Sequence, residues 1–159
     1  MNLELVDIKD PDNKRLQVTE WAWAPIRSIL AIANRLEHEE TGDLPVSYEN
    51  LKDLDENRGE GISDPEVCRR LAARLKNLAQ DPLTLVAYGM TADMEDGSFW
   101  YTYPSEFCTA AMEERRSKII VNQKDKVNPN NTRSMLRASE AELNEVIEFL
   151  DTSNGFVMP

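Results

Sequence analysis

"SDPEVCRRLAARLKNLAQ", residues 63–80, is the stretch whose reading decides the fold. Ser63 and Glu66 stand three apart ahead of an apolar run, the spacing at which a hydroxyl and a carboxylate satisfy each other's backbone N–H groups at a helix start. Behind them Val67, Leu71, Leu75 and Leu78 fall on one face at helical spacing, with Cys68 and Ala72 beside them. An amphipathic helix needs a second apolar surface to lie on, and the rest of the chain must supply it.

Two further helices offer such a surface. "EWAWAPIRSILAIANRLEHEE" (20–40) repeats the spacing at Ile26, Ile29, Leu30, Ala33 and Leu36 and ends at Gly42. Pro25 suits a first helical position, where its missing N–H has no partner to lose; alternatively Thr19 caps an earlier start and Pro25 lies inside. In "SEAELNEVIEFLDTSNGF" (139–156), Ser139 and Glu142 make the capping pair and Leu143, Val146, Ile147 and Leu150 the stripe. Asn154 and Gly155 supply a left-handed stop, and Phe156 is placed to fold back on the helix end.

Strand signals flank these helices. "LELVDI" (3–8) and "RLQVT" (15–19) surround a turn favoured by Pro11, Asp12 and Asn13, the pattern of a hairpin. "LTLVAY" (83–88) and "FWYTY" (99–103) are rich in strand formers and are separated by "GMTADMEDGS" (89–98), read as a loop. "SEFCTAAMEERRSKII" (105–120) fits a helix capped by Ser105, and "VNQKDKVNPNNTR" (121–133) a polar loop. The expectation is an α+β fold, one helix-dominated domain over residues 1–159 with a small antiparallel sheet.

Composition narrows the classes of function. The chain of 159 residues carries 29 acids against 18 bases, net charge −11, which argues against a nucleic-acid surface. No apolar run nears the roughly 20 residues that span a bilayer, and "MNLELVDIKD" has acids where a secretory signal has bases. No membrane association is expected, and with only Cys68 and Cys108 as cysteines a reducing, cytoplasmic setting is. Charge is unevenly spread: residues 113–137 carry +4, and residues 37–60 carry nine acids against Lys52 and Arg58, or −7.

"DENRGEGISDPE" (55–66) poses the one metal question. Asp55, Asn57, Ser63 and Glu66 fall at ligand positions of a calcium loop, but the position that must turn on a glycine is Glu60. Asn57 and Gly59 as a turn, Gly61 as a second unusual backbone angle, and Ser63 with Glu66 as a cap explain the same letters, and this reading is preferred. No cofactor is expected. His38 is the only histidine and lies among Glu37, Glu39 and Glu40 at a helix end. Cys68 and Cys108 read as small core residues, although Arg69 and Arg70 would lower the Cys68 thiol if it were exposed. No catalytic residue can be singled out.

Trp21 and Trp23 would share a face if extended, and strand alternation sends Phe99, Tyr101 and Tyr103 to one side and Trp100 to the other.

"WAWAPIRSILAIA" (21–33), "NRGEGISDPEVCRRLAARL" (57–75) and "EVIEFLDTSNGFVM" (145–158) together resemble small bacterial proteins of the immunity or toxin-neutralising kind. The likeness lies in a tryptophan-led opening helix, an N-x-G-x-x-I turn before a leucine-bearing helix, and a closing helix ending in Gly-Phe. It implies binding in preference to catalysis and no catalytic residues. The expectation is an acidic module that docks on another, basic protein, such as a nuclease toxin. Asp53, Asp55, Glu56 and Glu60 would provide steering, and Trp100, Tyr101 and Tyr103 affinity. The alternative is a small-molecule binder or carboxylate-dependent hydrolase using "VNPNN" (127–131). Oligomeric state is not fixed by any of these features.

Overall fold

The computed structural model describes residues 2–54, 57–81, 84–85, 90–92, 99–101 and 137–159. β1 (Asn2–Asp7) and β2 (Arg15–Thr19) form the expected hairpin, with Asn2 opposite Thr19 and Val6 opposite Arg15. Leu3 and Leu5 are buried while Asn2 faces out, so the period of two places the apolar side on the core. α1 (Glu20–Thr41) follows without a break. Of its two possible starts the structure takes the earlier: the Thr19 hydroxyl accepts from the Ala22 N–H at 3.2 Å, and Pro25 lies inside the helix. Gly42 ends it at φ 77°, donating its N–H to the His38 carbonyl at 2.8 Å.

α2 (Tyr48–Asp53) and β3 (Glu60–Ile62) lead to α3 (Pro65–Ala79). β4 (Met90–Ala92), β5 (Phe99–Tyr101) and β6 (Arg137–Ala138) form a three-stranded sheet, and α4 (Glu140–Thr152) and β7 (Phe156–Met158) close the chain. The four-stranded antiparallel sheet runs β2-β1-β7-β3, so the strand nearest the C-terminus lies between β1 and β3. The fold is α+β, as read. Its core joins Leu3, Leu5 and Val18 of the hairpin to the inner faces of α1, α3 and α4, with α3 and α4 in extensive contact.

Several local readings are corrected. Asp64 caps α3, its carboxylate accepting from the Glu66 N–H at 2.9 Å, while Ser63 is exposed one residue outside. The cause is Pro65: a residue before proline is driven to extended backbone, so Asp64 cannot be the first helical residue that a Ser63 cap requires. Glu66 is left to pair with Arg69 at 3.1 Å. α4 keeps the expected box, with the Ser139 N–H donating to the Glu142 carboxylate and the Glu142 N–H to the Ser139 hydroxyl, each at 3.1 Å.

At the other end of α4 the expected left-handed stop is absent. Ser153 leaves the helix in extended backbone, and Gly155, at φ 96°, makes the later bend into β7. Phe156 does fold back, its ring edge-on to Phe149 with centroids 6.2 Å apart. Gly61 is required for space and not for an unusual angle: a Cβ there would lie 1.9 Å from the Phe156 carbonyl oxygen across the β3–β7 pair. Trp21 and Trp23 are helical, so they diverge; Trp23 is buried, its indole N–H donating to the Leu54 carbonyl, and Trp21 is 45% exposed.

The middle of the chain departs further. Thr84 and Leu85, read as strand, form a helical turn on the Asp81 carbonyl, and β4 falls inside the stretch read as loop. β5 occupies the first three residues of "FWYTY". Residues 86–89, 102–103 and the helix and loop read over 105–133 lie outside the described residues.

Asp64→Ala and Ser139→Ala should each cost about 1 kcal/mol in urea unfolding, and Ser63→Ala almost nothing. A loss at Ser63 equal to that at Asp64 would contradict the cap. Gly61→Ala should cost about 3 kcal/mol, because the clash is with backbone and cannot be relieved by a side-chain rotation.

Candidate interaction surface

α2 is too short to hold its shape unaided and is fixed from several sides. The Ser47 hydroxyl accepts from the Asn50 N–H at 3.2 Å, and Leu51 and Leu54 are fully buried. Arg27 of α1 donates to the Lys52 carbonyl at 2.9 Å, and the Asn50 side chain donates to the Gly61 carbonyl of β3 at 3.1 Å. The segment leading into α2 is pinned by Asn34, buried on α1, whose amide exchanges two hydrogen bonds with the Val46 backbone at 2.8 and 3.0 Å. A buried amide satisfied on both its groups fixes a loop as firmly as a short ladder would.

This anchoring leaves one side of α2 outward. Glu49 and Asp53, one turn apart, are exposed, and Tyr48 beside them is 45% exposed. Glu60 is exposed at the start of β3, the edge strand to which Asn50 ties the helix. Among the described residues no cation pairs with Glu49, Asp53 or Glu60.

The other half of the acidic segment is consumed within the fold. Glu37 lies on the α1 face that meets α3, where the Arg70 guanidinium reaches one carboxylate oxygen at 2.9 Å and the Arg74 guanidinium the other at 2.7 Å. Arg70 also pairs with Asp43 at 3.2 Å, Arg74 with Glu40, and Arg35 with Glu39 at 3.1 Å. Burial works against the charge on Glu37, but hydrogen bonds and charge from Arg74 and Arg70 outweigh it and hold the carboxyl below its usual range. Of the nine acids over residues 37–60, Glu37, Glu39, Glu40 and Asp43 are thus paired within the fold, and among the described residues Glu49, Asp53 and Glu60 remain exposed and unpaired. A signal for this was present in sequence: Glu37 continues the Ile26, Leu30, Ala33 face of α1, and Arg70 and Arg74 are one turn apart on α3.

Asp53 and Glu60 come to neighbouring elements; Asp55, Glu56 and Tyr103 lie outside the described residues. Trp100 and Tyr101 belong to β5 in the other sheet, where Trp100 is opposite Thr91 and Arg137 and Tyr101 opposite Met90. Tyr48 and Glu49 were not singled out in sequence, because a six-residue helix leaves too short a pattern to tell its outer face.

Of the calcium-loop residues, Asn57 has its side-chain oxygen on the Glu4 N–H at 3.2 Å and Glu66 faces Arg69, with the extended strand β3 between them. Among the described residues no three His, Cys, Asp or Glu side chains are grouped to hold a metal. Cys68 is fully buried, and burial pushes its thiol up to about 11, overriding the nearby arginine. It packs in the core with its sulfur toward the Ile62 carbonyl at 3.8 Å. No helix among the described residues is long and apolar enough to cross a membrane. The chain matches no family, no curated protein and no solved structure with which it was compared.

The depressed Glu37 carboxyl fixes the sign of a pH effect. Its stabilisation is complete above the ordinary carboxylate range and is lost as pH falls through that range toward the folded-state value. Glu37→Gln should cost roughly 2 kcal/mol at neutral pH, and its unfolding midpoint should fall less steeply than that of the native chain on acidification below about pH 5. Parallel pH profiles would remove Glu37 from the effect.

Proposed function

We propose that this protein is an interaction module that docks on a basic protein partner through α2 and the start of β3. The observation that carries the reading is the placement of Glu49, Asp53 and Glu60, exposed and without a paired cation among the described residues, beside exposed Tyr48. They stand on elements whose backbone is fixed by buried Leu51, Leu54, Asn34 and Trp23. Unpaired like charges on a rigid surface raise the encounter rate with a cationic partner and lose little entropy on docking. An exposed tyrosine offers contact area at low rotamer cost.

Neutralisation of a basic toxin is the sharpest form of this reading, and it is supported only by the resemblance of the three segments 21–33, 57–75 and 145–158. The net charge of −11 suits the same class of partner and opposes nucleic acid.

The test is capture from a lysate of the native host at low and high salt, run in parallel with a Glu49→Lys, Asp53→Lys, Glu60→Lys variant. One basic protein should be retained at low salt and lost both at high salt and from the variant, with the on-rate of the purified pair falling roughly tenfold or more on charge reversal. Equal retention by the folded variant would take α2 and β3 out of the interface.

A further inference from the structure

The junction between α4 and β7 contains an asparagine followed by glycine, Asn154–Gly155, the pairing in which a side-chain amide is least shielded from the next backbone nitrogen. We infer that this pair is a deamidation site held unreactive by the fold, and that the clasp made by Asp7 and Ser153 sets how fast it is modified. In the reaction the Gly155 nitrogen bonds to Cγ of Asn154 and the Cγ–Nδ2 bond breaks. Ammonia leaves with the Gly155 amide proton, and a cyclic imide remains. Water then opens the imide at either carbonyl, giving aspartate at 154 or isoaspartate, in which the main chain runs through the former side-chain carbon. Water enters and ammonia leaves; no oxidant and no second protein is required.

In the folded chain each participating group is already engaged. The Gly155 N–H donates to the Ser153 hydroxyl at 2.9 Å, and the Gly155 carbonyl accepts from the Ile8 N–H at 3.0 Å. The Asn154 N–H donates to one Asp7 oxygen at 2.8 Å, and the Asn154 side-chain amide approaches the other at 3.4 Å. Gly155 cannot swing its nitrogen onto Cγ, because its α-carbon is packed so closely that a Cβ would lie 2.4 Å from the Ser63 carbonyl oxygen. Asn154 is itself exposed, so water is at hand and the restraint is one of geometry. Reaction must therefore pass through a local opening of the clasp, whose population sets the rate.

Opening followed by modification is one-way. A new carboxylate at 154 would face the buried carboxylate of Asp7, and like charges at that separation exclude each other. Isoaspartate would also insert a carbon into the main chain just before Gly155, where the Ser63 carbonyl leaves no room. Either product prevents the clasp from reforming and frees the strand that lies between β1 and β3.

The test is incubation at mildly alkaline pH of the folded chain, the Asp7→Asn and Ser153→Ala variants, and the native chain in urea, followed by peptide mass mapping and isoaspartate assay. The folded native chain should convert slowest, each folded variant roughly tenfold faster, and the unfolded chain fastest. Equal rates for folded and unfolded native chain would overturn the protection, and a folded Ser153→Ala converting at the native rate would overturn the clasp even if Asp7→Asn fails to fold. Asn154→Asp should lower Tm and Asp7→Asn in that background should restore part of the loss; no restoration would overturn the account of the product.

Discussion

The Asp7 carboxylate, buried at the end of β1, accepts from the backbone N–H groups of Lys9 and Asp10 on one side and of Asn154 on the other. Burial alone would favour its neutral form, yet these donors keep the carboxyl below its usual range, so an ion is held by peptide dipoles. Much follows from that one group. It fixes where α4 must end, it aligns Phe156 opposite itself in the β1–β7 pair, and it brings Gly155 against the Ser63 carbonyl. β3 can then pair with the outer edge of β7, and Asn50 can tie α2 to β3. The candidate surface is thus oriented in part by a contact two strands away in the same sheet.

Glu37 does comparable service between helices. A carboxylate shared by two guanidiniums joins α1 to α3 at a place where both helices would otherwise present apolar side chains, and it draws Glu40 and Asp43 into the same cluster. Among the described residues of 37–60 the acids therefore fall into two sets with different tasks. One set is neutralised by Arg35, Arg70 and Arg74 and acts in cohesion. The other, on α2 and β3, keeps its charge in solvent, which is the condition for acting at a distance.

What could be read from the sequence was whatever neighbouring residues decide. The hairpin, the Gly42 end of α1, and the box at Ser139 and Glu142 are all set within a few positions of each other, and each is found as expected, whereas the start of α1 lay open between Pro25 and Thr19 and falls at Thr19. Ser63 and Asp64 were harder, since both are good caps and only the constraint that Pro65 puts on its predecessor separates them. Gly61 and Gly155 were recognisable as special, and Gly155 does take a positive φ, but the close packing at both is against the Phe156 and Ser63 carbonyls, which the sequence does not place nearby. The inward turn of Glu37 needed the knowledge that α1 and α3 are neighbours. β4, three residues long and lacking an alternating pattern of useful length, gave no signal against its polar flanks.

The position of β7 also bears on how the chain reaches this state during synthesis. The β1–β2 hairpin forms from adjacent residues, but its next neighbour in the sheet, β7, is made about 140 residues later. Until then one edge of β1 has no native neighbour in the sheet, and joining Val6 to Val157 closes a loop that spans nearly all of the described residues. Sheet completion is accordingly a late and slow event, with an interval in which an unpaired edge is open to chaperones or to other nascent chains.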